Sequence, residues 1–312
     1  MVGIQLIATG RAMPKKEITN DDLSKIVDTN DEWISTRTGI KSRHFCEDEQ
    51  NWQIALEAAT KAIEKAGIEK SEIGILVVAT FTPDYATPSV ACILQKELGL
   101  DTSVAALDIN AACSGFLYAL KVANGLLTDE KRPYALVIGS EQISSRMNME
   151  DRGTCVLFGD GAGAAVIRRN PEKRFVSILG ANGDVEALGC YGHTSDTPYI
   201  YMDGKKVFKF AVQTMTKVAE EVLNEAGLTL DDIDYVVCHQ ANERIIRTVM
   251  KQLHAPEEKF FINIQNYGNT SAASIPIALD EMNEQGKLQP GSKLLCVAFG
   301  AGFTWGGTLI EI

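Results

Sequence analysis

One segment of this chain occurs twice. A-G-I-E-K-S-E-I-G-I-L-V-V-A begins at Ala66, and A-G-L-T-L-D-D-I-D-Y-V-V-C-H begins at Ala226, an offset of 160 residues. The offset pairs Gly67 with Gly227, Ile73 with Ile233 and Val77 with Val237, and it carries on to Ala135–Val137 against Leu295–Val297. Each copy reads as the end of a helix, a glycine and a buried strand. An offset near half of a 312-residue chain therefore predicts two similar α/β halves, residues 1–171 and 172–312. They are joined around 168–180, where Arg168, Arg169, Asn170, Pro171 and Glu172 break the apolar pattern. Two such halves packed face to face turn the C-terminal ends of their strands toward one crevice, which is where open α/β sheets bind ligands.

The remaining pattern agrees with helices alternating with buried strands, and so with a parallel, layered sheet. Strands are expected at Ile4–Thr9, Ile73–Thr80, Val104–Ile109, Tyr134–Gly139 and Tyr235–Cys238, with a further apolar run at Phe261–Ile264. Helices are expected at Trp52–Ala66, Val90–Leu98, from Phe116 onward, and at Ala272–Met282. Asn20 and Asp21 read as caps for a helix reaching Ile26, and Asp31–Trp33 opens another short segment.

The formal net charge of -11 argues against nucleic acid and anionic membrane as partners. No run is long enough for a membrane helix or has the flanks of a signal peptide. Seven scattered cysteines without a CxxC pair read as reduced thiols of a cytoplasmic protein. Cys190 and His193 share a C-x-x-H spacing, but no second pair accompanies them, so no metal site is expected.

Chemistry gathers at the strand ends. In D-I-N-A-A-C-S-G-F, residues 108–116, Cys113 lies where a strand passes into a helix, among small residues that let another molecule approach. The partial positive charge and free N–H groups of a helix start favour a thiolate, so the thiol pKa is expected below its free value of about 8.5. In the second half Tyr235–Cys238 runs into H-Q-A-N, which puts His239 at the mouth of the sheet; His44, His193 and His254 carry no such signal. N-Y-G-N-T-S follows, with Asn269 either a turn residue or an amide directed into the crevice. The closing A-F-G-A-G-F-T-W-G-G, residues 298–307, has glycines suited to strand bulges or to presenting backbone N–H groups to a substrate oxygen. The G-D-G-A-G-A-A run at 159–165 leads into a strand-like stretch, not a helix, so a dinucleotide fingerprint does not fit. Arg244, Arg247 and Lys251 fall on one face of a helix that starts at Asn242, with Lys205, Lys206 and Lys209 preceding another helix.

Taken together, D-I-N-A-A-C-S-G-F, V-V-C-H-Q-A-N, N-Y-G-N-T-S and F-G-A-G-F-T-W-G resemble β-ketoacyl-acyl carrier protein synthase III, the condensing enzyme that starts fatty-acid elongation. D-E-W-I-S-T-R-T-G-I (31–40) and F-G-D-G-A-G-A-A-V (158–166) extend the resemblance over nearly the whole chain. It implies a thiolase-like α/β fold, duplicated in five αβαβα layers, and a catalytic trio of Cys113, His239 and Asn269. An acyl-CoA primer would acylate Cys113, after which malonyl-acyl carrier protein would lose CO₂ and condense with the acyl group. The backbone N–H groups of Cys113 and Ala301 would form the oxyanion hole; many relatives have glycine at the latter. Coenzyme A would meet Thr29, Trp33, Arg37 and Arg152, and acidic carrier protein would dock on Lys209, Arg244, Arg247 and Lys251. No cofactor beyond the acyl-CoA substrate is implied, and the family's habit is a homodimer. At Thr87 many relatives have a phenylalanine that closes the partner's acyl pocket. Threonine implies a deeper pocket unless Phe81 or Tyr85 fills it. The competing readings are a related acyl-CoA-primed condensing enzyme of polyketide or secondary metabolism, a Cys-His-Asn hydrolase, and a non-catalytic carrier-binding relative. The last would be expected to lack a member of the trio.

Overall fold

The computed structural model describes residues 3–128, 130–192 and 195–312, so the Cys190–His193 spacing lies partly outside the described residues. The first half runs β1 (Ile4–Ala12), α1 (Asp31–Thr38), α2 (Asn51–Ala66), β2 (Ile73–Ala79), α3 (Val90–Glu97), β3 (Ala105–Ile109), α4 (Gly115–Leu127), β4 (Tyr134–Glu141) and β5 (Gly161–Arg169). The second runs β6 (Phe175–Asp184), α5 (Gly204–Ala226), β7 (Tyr235–Cys238), α6 (Glu243–Gln252), α7 (Ser274–Glu284), β8 (Lys293–Gly300) and β9 (Gly302–Glu311). The 171/172 boundary falls in the turn between β5 and β6.

The duplication is visible in the strand pairing. In the first half β1 lies antiparallel to β5 and β5 to β4, while β4, β2 and β3 are parallel. In the second, β6 lies antiparallel to β9 and β9 to β8, while β8 and β7 are parallel. A single parallel bridge from Phe260 to Val236 takes the place of β3, so Phe261–Ile264 is not a strand. One parallel pairing, Gln5 with Glu311, joins the two sets into nine strands.

Alternation of side chains builds the layers. Ile75, Val77 and Ala79 of β2 face a central core, whereas Leu76 and Val78 face an outer one with α2 and α3. Leu294, Cys296 and Ala298 of β8 enter the same central core, whereas Leu295, Val297 and Phe299 pack outward with α5 and α6. Helices α4 and α7 fill the middle between the sheets. The order is helix, sheet, helix, sheet, helix. Strand β2 is buried along its whole length, as parallel strands covered on both faces are.

Three local expectations change. The short helix at Asn20 ends at Leu23 and is capped by Thr19, whose hydroxyl and Asp22 form a reciprocal capping box. Asn20 is buried instead, its amide donating to Asp31 and to the Ile40 carbonyl. Lys205, Lys206 and Lys209 lie within α5 because Asp203 caps that helix ahead of them. Among the described residues no helix is long and apolar enough to cross a membrane.

Candidate active site

The ends of β2, β3, β7 and β8 open onto a cavity of about 650 Å³, lined by Phe81, Cys113, His239, Asn269, Phe299 and Ala301 among others. Cys113 is carried by a tight turn. The Asn110 carboxamide oxygen accepts from the Ala112 N–H at 3.1 Å, Ala112 takes φ 46°, and a 3₁₀ turn over Ala112–Ser114 leads into α4. The second half repeats this turn one residue out of the 160 offset. The Asn269 oxygen accepts from Ser271 N–H at 2.9 Å, Ser271 takes φ 50°, and Ser271–Ala273 leads into α7. A non-glycine residue at positive φ is uncommon; of the three among the described residues, Ala112 and Ser271 lie within two positions of a side chain that lines the cavity.

These bonds decide how the second-half groups are presented. Because Oδ1 of Asn269 is held by Ser271, its Nδ2 is the end left to donate elsewhere. The Asn269 backbone is fixed from both sides, donating to Leu157 O and accepting from Gly159 N–H. His239 is fully buried, with Nδ1 2.7 Å from Ser274 Oγ. Ser274 Oγ also accepts from the Gln240 N–H at 3.4 Å, and Nδ1 is the acceptor in reach of its proton among the described residues; with that proton on Nδ1, the imidazole carries its own hydrogen on Nε2. Nε2 has no partner among the described residues. Burial holds His239 well down, at about 3, so it is a neutral donor across the physiological range.

The Cys113 turn is clamped by β9. Thr304 Oγ1 donates to Ala111 O at 2.8 Å and accepts from Ser114 Oγ at 2.7 Å. Gly300 lies so close that a Cβ on it would come within 2.7 Å of the Cys113 nitrogen, so only glycine fits at the end of β8. Ala301, next in the chain, lines the cavity. The expectation for the thiol itself is corrected. Burial, with the nearby Glu141 charge adding to it, pushes Cys113 up to about 12, and desolvation outweighs the helix start that was expected to lower it. The resting nucleophile is a thiol.

A nucleophilic sulfur from one half therefore shares a largely apolar cavity with two neutral donors, His239 Nε2 and Asn269 Nδ2, from the other. This set suits acyl transfer and stabilisation of a developing oxyanion. Comparison with known proteins agrees. Residues 107–183 match the family model for 3-oxoacyl-[acyl-carrier-protein] synthase III, and residues 223–312 match the model for its C-terminal region. A β-ketoacyl-[acyl-carrier-protein] synthase III of Clostridium acetobutylicum is 46% identical, the match covering 100% of this chain and 99% of the relative. The chain belongs to the β-ketoacyl-[acyl-carrier-protein] synthase III family. The crystal structure of 3-oxoacyl-[acyl-carrier-protein] synthase III from Aquifex aeolicus superposes with a TM-score of 0.94 at 45% identity, over 99% of this chain and 100% of that one. A priming β-ketosynthase of the R1128 polyketide pathway gives 0.95 at 33% identity, over 100% of this chain and 96% of that one. The thiolase-like fold expected from the sequence is the fold of this family.

The other residues that the sequence led us to expect at the site are distributed as follows. Trp33 and Arg37 line the cavity, and the guanidinium carbons of Arg37 and Arg152 lie 4.6 and 4.8 Å from the Trp33 ring centroid. Arg152 also donates to Asp28 O at 2.9 Å, and the enclosed Thr29 Oγ1 has no partner among the described residues. Arg244 is exposed at the cavity rim, its guanidinium 5.9 Å from the Phe208 ring. Arg247 is bound to Glu243 at 2.6 Å and Glu257 at 2.9 Å, whereas Lys209, Arg244 and Lys251 are in no ion pair among the described residues. Thr87 is exposed and does not line the cavity of its own chain, while Phe81 does and Tyr85 is exposed.

Sequence reasoning missed Ser271, Ser274, Thr304 and Glu141. The one usable signal was Glu141, an acidic residue ending the apolar run Y-A-L-V-I-G-S. The serines and threonine belong to motifs that were noticed, but single hydroxyls have no periodicity to mark them.

Proposed function

We propose that this protein catalyses the decarboxylating Claisen condensation of an acyl-CoA primer with malonyl-acyl carrier protein, giving a 3-oxoacyl-acyl carrier protein, as the first condensation of fatty-acid synthesis. The observation that carries this reading is the convergence of Cys113 with His239 Nε2 and Asn269 on one cavity. The Cys113 sulfur attacks the thioester carbonyl, the tetrahedral oxyanion is held by the N–H groups of Cys113 and Ala301, and coenzyme A leaves. Malonyl-carrier protein then enters. Loss of CO₂ leaves an enolate whose oxygen accepts from His239 Nε2–H and Asn269 Nδ2–H. The enolate carbon attacks the acyl-Cys113 carbonyl and frees the sulfur. The chemistry draws on no cofactor beyond the acyl-CoA substrate.

For coenzyme A we assign Thr29, Trp33, Arg37 and Arg152. Adenine stacking on Trp33 would take place beside the Arg37 and Arg152 guanidiniums, both of which lie over the ring. Acidic carrier protein is assigned to Lys209, Arg244, Arg247 and Lys251, with the first, second and fourth best placed, since Arg247 is already neutralised. Lys251→Glu is expected to raise KM for malonyl-carrier protein about tenfold at low salt and less at high salt, with coenzyme A priming unchanged. Arg247→Ala is expected to do less. Equal losses for both substrates would refute a separate docking face.

A homodimer is favoured by β3. It ends the sheet, pairs on its far side with no strand among the described residues, and carries the partly exposed Ala106, Leu107 and Ile109. Seven free cysteines fit a cytoplasmic setting.

A second reading, a priming condensing enzyme of polyketide metabolism, is favoured by the R1128 similarity alone and shares every step above. The test is a condensation assay with acetyl-, isobutyryl-, hexanoyl- and octanoyl-CoA. CO₂ and a 3-oxoacyl-carrier protein are expected, and free acid alone would point to hydrolysis and refute the reading. Wild type is expected to accept primers longer or more branched than acetyl, each added methylene gaining about 0.8 kcal/mol where it is buried. Thr87→Phe is expected to shift preference toward acetyl. An identical ranking in both proteins would remove Thr87 as the gate and leave Phe81 as the wall.

A further inference from the structure

Behind Cys113 lies a carboxylate that the mechanism above does not use. Glu141 ends β4 and is fully buried. Its Oε2 accepts from Thr82 Oγ1 at 2.6 Å, from Thr80 Oγ1 at 3.2 Å and from the Phe81 N–H at 3.2 Å. Oε1 is held differently, accepting from Ser271 Oγ at 3.1 Å. Ser271 also lies beside Cys113, where its hydroxyl favours the thiolate against the burial that raises the thiol. One oxygen of the carboxylate is thus pinned by three donors, while the other holds a single hydroxyl that lies beside the nucleophile.

A buried carboxylate at this position works against a thiolate unless it takes the thiol's proton, because two negative charges would then share a space of low polarity. We propose that Ser271 and Glu141 are a proton relay for Cys113. The thiol proton passes to Ser271 Oγ as the hydroxyl proton passes to Glu141 Oε1, leaving a thiolate beside a neutral carboxylic acid. The relay moves one negative charge from carboxylate to sulfur and creates no second one. When the sulfur has attacked a thioester, the leaving coenzyme A thiolate takes the proton back from Glu141 and the carboxylate is restored. This last step rests on the condensing function proposed above; thiol activation itself does not.

The electrostatics fit. Burial raises Glu141 to about 7, the range in which a general base is most effective near neutral pH. The rise of Cys113 is due first to burial and then partly to the Glu141 charge, which the transfer removes. Cys113 and Glu141 titrate as a pair, whose first proton loss near neutrality opens the form that includes the thiolate. Cys190 is also within electrostatic reach of Glu141, and its Sγ donates to Pro198 O. Thr80, Thr82 and Ser271 are neutral, and burial keeps His239, which shares the cavity, uncharged.

The test is the rate of Cys113 alkylation by iodoacetamide between about pH 5.5 and 9.5, read by peptide mapping so that Cys190 and the exposed Cys92 are scored separately. Wild type is expected to rise through pH near 7 and level off. Glu141→Gln, which keeps the shape of the side chain, is expected to lose about 10²-fold at pH 8 and to rise with pH without that break. Ser271→Ala is expected to behave alike and carries the test if Glu141→Gln does not fold, while Glu141→Asp is expected to recover part of the rate and the break. Wild type without a break near neutrality, or variants that keep the wild-type profile, would overturn the relay. A wild-type break with no acyl-CoA adduct on Cys113 would instead sink the condensing function and leave the relay standing.

Discussion

Replacing Cys113 with alanine is expected to abolish acyl uptake and condensation, with a loss of roughly 10⁶-fold, the scale seen when a covalent nucleophile is removed. Intact mass after incubation with acyl-CoA reads the effect directly, with one acyl increment on wild type and none on the variant. Competing thiols are poor candidates for physical reasons. Cys238 and Cys296 are fully buried and burial pushes both far up, Cys296 to about 12. Cys46 is raised as well, by burial and then by Asp160. Cys92 is exposed and open to slow, unspecific labelling, which peptide mapping separates. An adduct that persists in Cys113→Ala, or that maps to Cys238, would refute the assignment.

His239→Ala and Asn269→Ala divide the reaction at its other half. Each is expected to cost malonyl decarboxylation about 10²–10³-fold, or about 2.7–4 kcal/mol, the price of one oxyanion donor in a site closed to water. Acyl transfer to Cys113 is expected to fall much less, because its oxyanion is assigned to backbone N–H groups. Since His239 stays neutral down to about 3, decarboxylation by wild type is expected to show no limb from its titration between pH 5 and 9. Decarboxylation followed as CO₂ release, with CoA release measured in parallel, tests both points. Intact decarboxylation in both variants would rule out the donor roles.

How much of this was legible beforehand differs from level to level. The 160-residue offset already carried the architecture, because helix, glycine and buried strand recur where the backbone needs them. It breaks where residues 142–160 intervene between β4 and β5, while Ala301 alone separates β8 from β9. The strand-end residues Cys113, His239 and Asn269 could be found because buried strands have readable ends. The charge state of Cys113 could not be read. A helix start is a local feature of sequence, whereas the burial that outweighs it and the Glu141 charge that adds to it come from the folded chain as a whole. The tautomer of His239 was hidden for the same reason, since it depends on Ser274, 35 residues away. The Thr19 cap was misread by one residue because Asn20 has a cap's chemistry but is drawn inward by Asp31 and the Ile40 carbonyl.

The hold of Thr304 on the turn that carries Cys113 has a consequence for how the molecule loses activity. The nucleophile is encoded in the first half of the chain but the turn that carries it is braced by β9 of the second. Neither half is a self-sufficient catalyst awaiting a partner. Clipping within Gly302–Glu311 is therefore expected to cost Cys113 its acylation, read by intact mass, although the cut lies nearly 200 positions downstream. Bracing of the thiol is thereby tied to a strand about 190 residues further along the chain: during synthesis it is absent until β9 has been made and has joined the sheet.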